Sequence, residues 1–223
     1  NFFYMDLKDM LIDYKNNSSE NAVNAGKAFY PYYLYLPNHS LTKYTANDFD
    51  QVIKNLGYSS KSQSAMYGEG NNFILSQDKY GVNALLTFSA ALNESNAGTS
   101  SIALKKNNLF GHNAYGSDPF AKATYYNTVA EGIMAHARMT GDGYNHPNDD
   151  RYFGGHYGNK GSGMNIKYAT DPYWGEKMAM NAYVKDSGFG MQDFNGNTIG
   201  VKKDSSSVPI KKSPSSSSPT IHL

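Results

Sequence analysis

The chain has 223 residues, 39% of them hydrophobic and 17% charged, which suits one large domain with attached segments. Lys and Arg total 20 against 19 Asp and Glu, a formal net charge of +1, which argues against an electrostatic nucleic-acid binder. Cysteine is absent, excluding disulfide scaffolds, thiolate metal sites and thiol nucleophiles, and no run of about 18 apolar residues marks a membrane span.

The start, Asn1-Phe2-Phe3-Tyr4-Met5-Asp6, lacks an initiator Met, and its apolar run is too short for a signal-peptide core. It reads as a processed chain or a piece of something longer. Residues 1–60 read as an N-terminal helical or extended segment packed on the core. Within it, Phe29 to Pro37 is an aromatic cluster bracketed by prolines, which disfavours a central strand and suggests an extended stretch. Thr45 opens a helix with Phe49, Val52, Ile53 and Leu56 on one face, closed by Gly57. A second helix runs from about Gly70 to Lys79. A third is capped by Asn83, carries a broad apolar face through Leu85, Leu86, Phe88, Ala91 and Leu92, and ends near Glu94. A Gly/Asn-rich stretch follows, with a short hairpin expected near Phe120 to Tyr126. Thr128 to Glu131 has the spacing of a capping box for a fourth helix. Asp171-Pro172 opens a fifth, through Met178 and Tyr183 to a stop at Gly188. Residues 61–200 are the main domain. Residues 204–223, rich in Ser and Pro, read as a disordered tail or linker. The fold class is α+β, mostly helical, with a small irregular or β lobe.

Three stretches can carry chemistry. Glu94 sits where an apolar helix meets the polar loop Ser95-Asn96-Ala97-Gly98-Thr99-Ser100. A carboxyl with an apolar body behind it has a raised pKa, as a general acid requires. An ordinary solvated Glu at a helix end fits the same position. Lys106 to Asn113 sets amides beside Phe110 and Gly111, a pattern that suits sugar hydroxyls and acetamido groups, or equally a plain turn. Tyr168-Ala169-Thr170-Asp171-Pro172 offers a cleft tyrosine and an aspartate that a helix N-cap alone would explain. The 19 Tyr give only slight support to carbohydrate binding, through their flat faces and polar tips.

The run A-L-N-E-S-N-A-G-T-S at 91–100, then N-N-L-F-G at 107–111, then Y-A-T-D-P at 168–172 before a last helix, resembles the glucosaminidase domain of bacterial cell-wall hydrolases, glycoside hydrolase family 73. Order and spacing of the three motifs match from about Gly81 to Gly188. Tyr35-Leu36-Pro37 and Thr42 to Ala46 also look like segments that precede this domain in Gram-positive autolysins. The resemblance implies a lysozyme-like fold with a long glycan groove. It implies cleavage of the β-1,4 bond after N-acetylglucosamine in peptidoglycan, without a cofactor. The family's catalytic Glu falls on Glu94, as general acid, and its motif Tyr on Tyr168, lining the cleft beside the reacting sugar. Asn108, Phe110 and Tyr115 become groove-wall contacts, with Asp118 and Asp171 also facing substrate.

A second carboxylate stays open: Asp118, Glu131, Asp149 and Asp150 are candidates, and substrate-assisted catalysis by the sugar's 2-acetamido group is the alternative. An inverting enzyme would place it about 6.5–9.5 Å from the acid and a retaining one about 5–5.5 Å. The histidines His112, His136, His146 and His156 lack metal-ligand spacing, so no metal is expected. Gly141 to Gly163 reads as a mobile substrate-side loop, with Tyr144, Tyr152 and Tyr157 able to stack on sugars. Competing readings are a muramidase or lytic transglycosylase on the same scaffold, or a non-catalytic wall-binding module. Expected partners are glycan strands, a further wall-binding domain or a positioning protein, and the chain is taken as a monomer. The setting is the bacterial cell wall, or a phage particle carrying the same domain.

Overall fold

The computed structural model describes residues 2, 4, 6–22, 25, 32–199, 210–211 and 217–222. Its helices in chain order are α1 (Leu7–Asn16), α2 (Tyr32–Tyr35), α3 (Ala46–Asn55), α4 (Gly70–Tyr80), α5 (Ala84–Glu94), α6 (Ser101–Lys106), α7 (Pro119–Lys122), α8 (Val129–Met139) and α9 (Trp174–Gly188), with a π-helical turn at Thr140–Tyr144 and a 3-10 turn at Met164–Ile166.

The centre of the molecule is α5. Every residue from Ala84 to Leu92 is buried, so the broad apolar face read from the sequence is in fact a helix enclosed all round. Asn83 starts it as expected, its side chain accepting from Leu86 N at 3.1 Å. α4 and α9 pack against α5, α3 and α8 pack against α4, and α2 packs against α9. The contact of α3, α4 and α5 is a cluster of rings: Phe49 stacks on Phe88 at 4.7 Å, and Phe73 meets Phe88 edge-on at 5.1 Å.

Helix starts follow side-chain caps. Thr45 and Asp48 form a reciprocal capping box at α3. At α8 Thr128 accepts from Glu131 N, but the Glu131 carboxylate reaches back to Asn127 N at 3.0 Å rather than to Thr128. The last helix begins later than the Asp171-Pro172 signal suggests: Tyr173 is its cap and Trp174 its first residue, while Asp171 receives the Tyr173 N–H at 2.9 Å. The same Asp-Pro pair at Asp118-Pro119 does start a helix directly, and that helix, α7, stands where a hairpin was expected. Among the described residues no strand occupies 120–126; the lobe is instead held by amides, Asn107 and Asn108 donating to the carbonyls of Tyr126, Asn127, His112 and Thr124.

The aromatic N-terminal stretch is a single helical turn, α2, and not extended where it is described; Phe29 to Pro31 lie outside the described residues. It is locked to the far end of α9 by a buried carboxylate. Asp186 accepts from the hydroxyls of Tyr33 and Tyr44 and from the N–H groups of Asp193 and Phe194. Burial, followed by the bond to Asp186, drives both phenols far above their ordinary range, so they stay neutral donors.

Most of the tail expectation falls outside the described residues. Its described part pairs Ile210–Lys211 antiparallel with Thr220–His222, so those residues are not unstructured. The stretch 141–163, expected as a mobile substrate-side loop, is anchored by buried Tyr144, Asn145 and Tyr157, with Tyr152 and Phe153 exposed between them.

Candidate active site

Glu94 is the last residue of α5, so its position is set by the most enclosed helix in the molecule. The turn after it is rigid. Ser95 is buried, its hydroxyl donating to Ala91 O and accepting from Gly98 N at 2.7 Å. Ser64 donates to Ala97 O at 2.7 Å, and Ala65 N to Gly98 O at 2.9 Å. Gly98 has φ +78°, and a Cβ there would lie 2.7 Å from Ser64 Oγ and 2.8 Å from Met66 N. Only glycine lets the turn sit this close to residues 64–66.

The facing wall comes from the strap before α9. The buried Asn165 donates through Nδ2 to Asp171 O at 3.2 Å and Pro172 O at 3.1 Å. Lys160 ties the same strap by donating to the carbonyls of Asn165 and Ala169. The strap delivers three residues to Glu94. Trp174 Nε1 donates to Glu94 Oε1 at 2.8 Å. Tyr168 lies against the indole, ring centroids 4.4 Å apart at 33°. Asp171 places its negative charge within electrostatic reach of Glu94.

Glu94 is half-buried, and that burial pushes its carboxyl above the usual range. The Trp174 N–H opposes the rise and Asp171 adds to it. Asp171 moves the other way, held low first by its 2.5 Å ion pair with Lys177 and then by the Tyr173 N–H. Tyr168 stays a neutral phenol, its pKa raised by burial first and then by the Glu94 charge. The arrangement is a carboxyl whose pKa is raised, beside an aromatic wall and a carboxylate whose pKa is lowered. Such a set can protonate a leaving group and stabilise positive charge.

From this wall a ladder of rings runs into the lobe. Tyr168 meets Tyr144 at 5.3 Å and His136 at 6.2 Å. His136 stacks flat on Phe110 at 3.7 Å, and His112 Nε2 lies 3.2 Å from His136 Nδ1. Burial holds both imidazoles neutral, with His112 lowered to about 4. Among the described residues no three His, Asp or Glu side chains stand where they could hold a metal.

The other sequence candidates divide. Tyr144 joins the ring ladder, with the Arg151 guanidinium over its ring, 4.9 Å from the centroid. Phe110 is buried against His136 and Asn108 is 1% exposed, spending its amide on the lobe's own backbone, so both shape the wall from behind. Tyr157 is buried with its hydroxyl on Leu86 O at 2.6 Å, not free to stack on a ligand. Tyr115 is 63% exposed at the lobe surface, and Asp118 caps α7. Tyr152 stands elsewhere, in a cleft of about 370 Å³ with Tyr35 and His39. His39 bonds Gly81 O, so that cleft adjoins the start of α5, roughly 16 Å of helix away from Glu94. Of the candidate second carboxylates, Asp149 is clamped by Nε and Nη2 of Arg151, each at 2.7 Å, and Glu131 accepts from Asn127.

Trp174 escaped the sequence reading. Its signals were present: it is the sole tryptophan of the chain and lies two residues beyond the Y-A-T-D-P motif. Only the fold shows that its N–H meets a carboxyl 80 residues upstream.

Residues 70–185 match the family model named Glucosaminidase, described as mannosyl-glycoprotein endo-beta-N-acetylglucosaminidase. The chain belongs to this family. The match spans Glu94, Tyr168, Asp171 and Trp174. Two Streptococcus pneumoniae proteins, from a serotype 4 strain and from strain R6, carry the provisional name endo-beta-N-acetylglucosaminidase and are each 34% identical over 173 residues. That region is 78% of this chain but 25% and 24% of theirs, so the chain spans about a quarter of the relatives it matches. Among solved structures, a catalytic Glu-to-Ala mutant of Staphylococcus aureus autolysin E in complex with the disaccharide NAG-NAM superposes with TM-score 0.54, over 71% of this chain and 73% of that one, at 19% identity. Autolysin E without that mutation gives 0.53, over 73% and 75%. The mostly helical, lysozyme-like glucosaminidase fold is thereby established for this chain.

Proposed function

We propose that this chain is a peptidoglycan hydrolase, an endo-β-N-acetylglucosaminidase that cleaves the β-1,4 bond after N-acetylglucosamine, with Glu94 as general acid. The observation that carries the reading is the half-buried Glu94 carboxyl, pushed toward its protonated form at the end of a buried helix and faced by Trp174 and Tyr168. Glu94 protonates the leaving glycosidic oxygen. Tyr168 lines the reacting position as a neutral phenol. Asp171, its carboxyl held low by Lys177 and within electrostatic reach of Glu94, offsets positive charge building on the sugar ring, and no second carboxylate is assigned among Asp118, Glu131, Asp149 and Asp150. The family, the printed names of the pneumococcal relatives and the NAG-NAM complex of autolysin E support the bond type and the glycan. We take the segment from Tyr32 onward as part of the catalytic body, because Asp186 joins it to α9. Action lies outside the membrane, where the polymer is; no helix among the described residues is long and apolar enough to cross a bilayer.

The test is a digest of purified peptidoglycan by wild type and Glu94→Gln, followed by borohydride reduction and mass spectrometry of the new ends. Reduced N-acetylglucosamine ends from wild type, with turnover about 100- to 10,000-fold lower in Glu94→Gln at unchanged melting temperature, are expected. Muramic acid or anhydro ends would move the assignment to a muramidase or a lytic transglycosylase. The family description names mannosyl-glycoproteins, so a parallel digest uses a high-mannose glycoprotein. Glycan release there with intact peptidoglycan would overturn the substrate and keep the bond type.

A further inference from the structure

Trp174 is held more tightly than a groove residue needs to be. Its side chain is buried, 5% exposed, between two tyrosines. Tyr168 lies along one side, and Tyr157 meets the indole edge-on, at 83° and 5.4 Å. Tyr157 is fixed to the central helix through Leu86 O. The backbone beside the indole is close-packed as well: a Cβ on Gly175 would fall 1.7 Å from Gly158 O, so the first turn of α9 lies directly against that loop. Asn165 holds the approach to the helix through Asp171 O and Pro172 O. All of these restraints converge on one polar atom, Nε1, and its partner is Glu94 Oε1 at 2.8 Å.

We infer that Trp174 is a positioning residue for Glu94: its indole N–H occupies Oε1, so the transferable proton is carried on Oε2 and presented to the open side of the site. The inference rests on the glycosidase reading for its consequence in turnover, but not for its geometry. An indole N–H only donates, so it selects the oxygen that carries no proton. It also stabilises the charged carboxylate, which keeps the acid from being trapped in its protonated form by burial.

The experiment compares wild type with Trp174→Phe and with a variant carrying 3-benzothienylalanine at 174, which keeps the bicyclic ring and lacks the N–H. The Glu94 carboxyl is followed by ¹³C NMR titration with labelled glutamate, assigned through Glu94→Gln, and the pH profile of kcat/KM is measured on the same proteins. Loss of the N–H should move the Glu94 titration to higher pH and carry the alkaline limb of the profile with it. The same change should lower kcat by about 10- to 100-fold as the acid loses its orientation. A benzothienyl variant with wild-type stability, titration and kcat would overturn the inference, since a merely structural ring would pass that exchange unnoticed. If the titration moves while wild type cleaves no glycan, the positioning contact stands and the glycosidase reading fails. If wild type cleaves and the titration stays, the failure is that of the positioning role alone.

Discussion

Glu94 and Asp171 are two carboxyls of one site in opposite surroundings. Burial raises the first, and the Lys177 ion pair lowers the second. A general acid works only while protonated, so on the proposed role of Glu94 activity should decline as pH rises through its pKa. Asp171→Asn removes a negative charge that raises that pKa, so the alkaline limb of kcat/KM should shift to lower pH. If Asp171 supplies the proposed counter-charge to the sugar, turnover should fall as well. A pH–rate comparison checks both. An alkaline limb that stays in place would show that Asp171 serves only as the helix-start contact for Tyr173 and Lys177.

At the scale of elements, the site is the meeting of one helix end, one tight turn and one strap. The turn after Glu94 works because Gly98 has left-handed backbone and leaves no room for a side chain. Gly98→Ala should cost about 1–2 kcal/mol for the backbone conformation alone. The collision with Ser64 and Met66 adds to that. Denaturant unfolding should show the loss, and activity should fall beyond what lowered stability explains, since the turn carries the end of α5. The hairpin expected near Phe120 to Tyr126 is replaced, among the described residues, for a local reason. Asn107 and Asn108 do with side-chain amides what a hairpin would do with a ladder, and Asp118 caps a helix turn in its place.

At the scale of the whole molecule, buried polar groups tie distant segments together: Asp186 joins the N-terminal tyrosines to α9, and His112 with His136 joins the lobe to α8. The second gives a pH dependence. Both imidazoles have folded pKa values below the ordinary 6.5, His112 at about 4. The unfolded chain therefore binds more protons in this window, and the contribution to stability, complete above about 6.5, is lost as pH falls toward 4. Melting temperature should drop over that interval, and His112→Asn should flatten the drop. A melting curve as steep in His112→Asn as in wild type would assign the acid sensitivity to other groups.

Much of this was legible along the chain because it is local. Thr45, Asn83 and Thr128 start helices through bonds to residues three ahead, and the period of apolar residues marks α3, α5 and α8. Glu94 at the junction of an apolar helix and a polar turn, followed by the Tyr168 motif, was enough to nominate the acid and its aromatic companion. Tertiary structure decided what depends on partners far apart in sequence: the Trp174 N–H on Glu94, the Asp171 charge near it, and Tyr157 buried with its hydroxyl on Leu86 O. The identity of a side chain fixes what bonds it can make; only the packing of α5 against α9 fixes which of them it does make, because burial sets both the partner and the pKa.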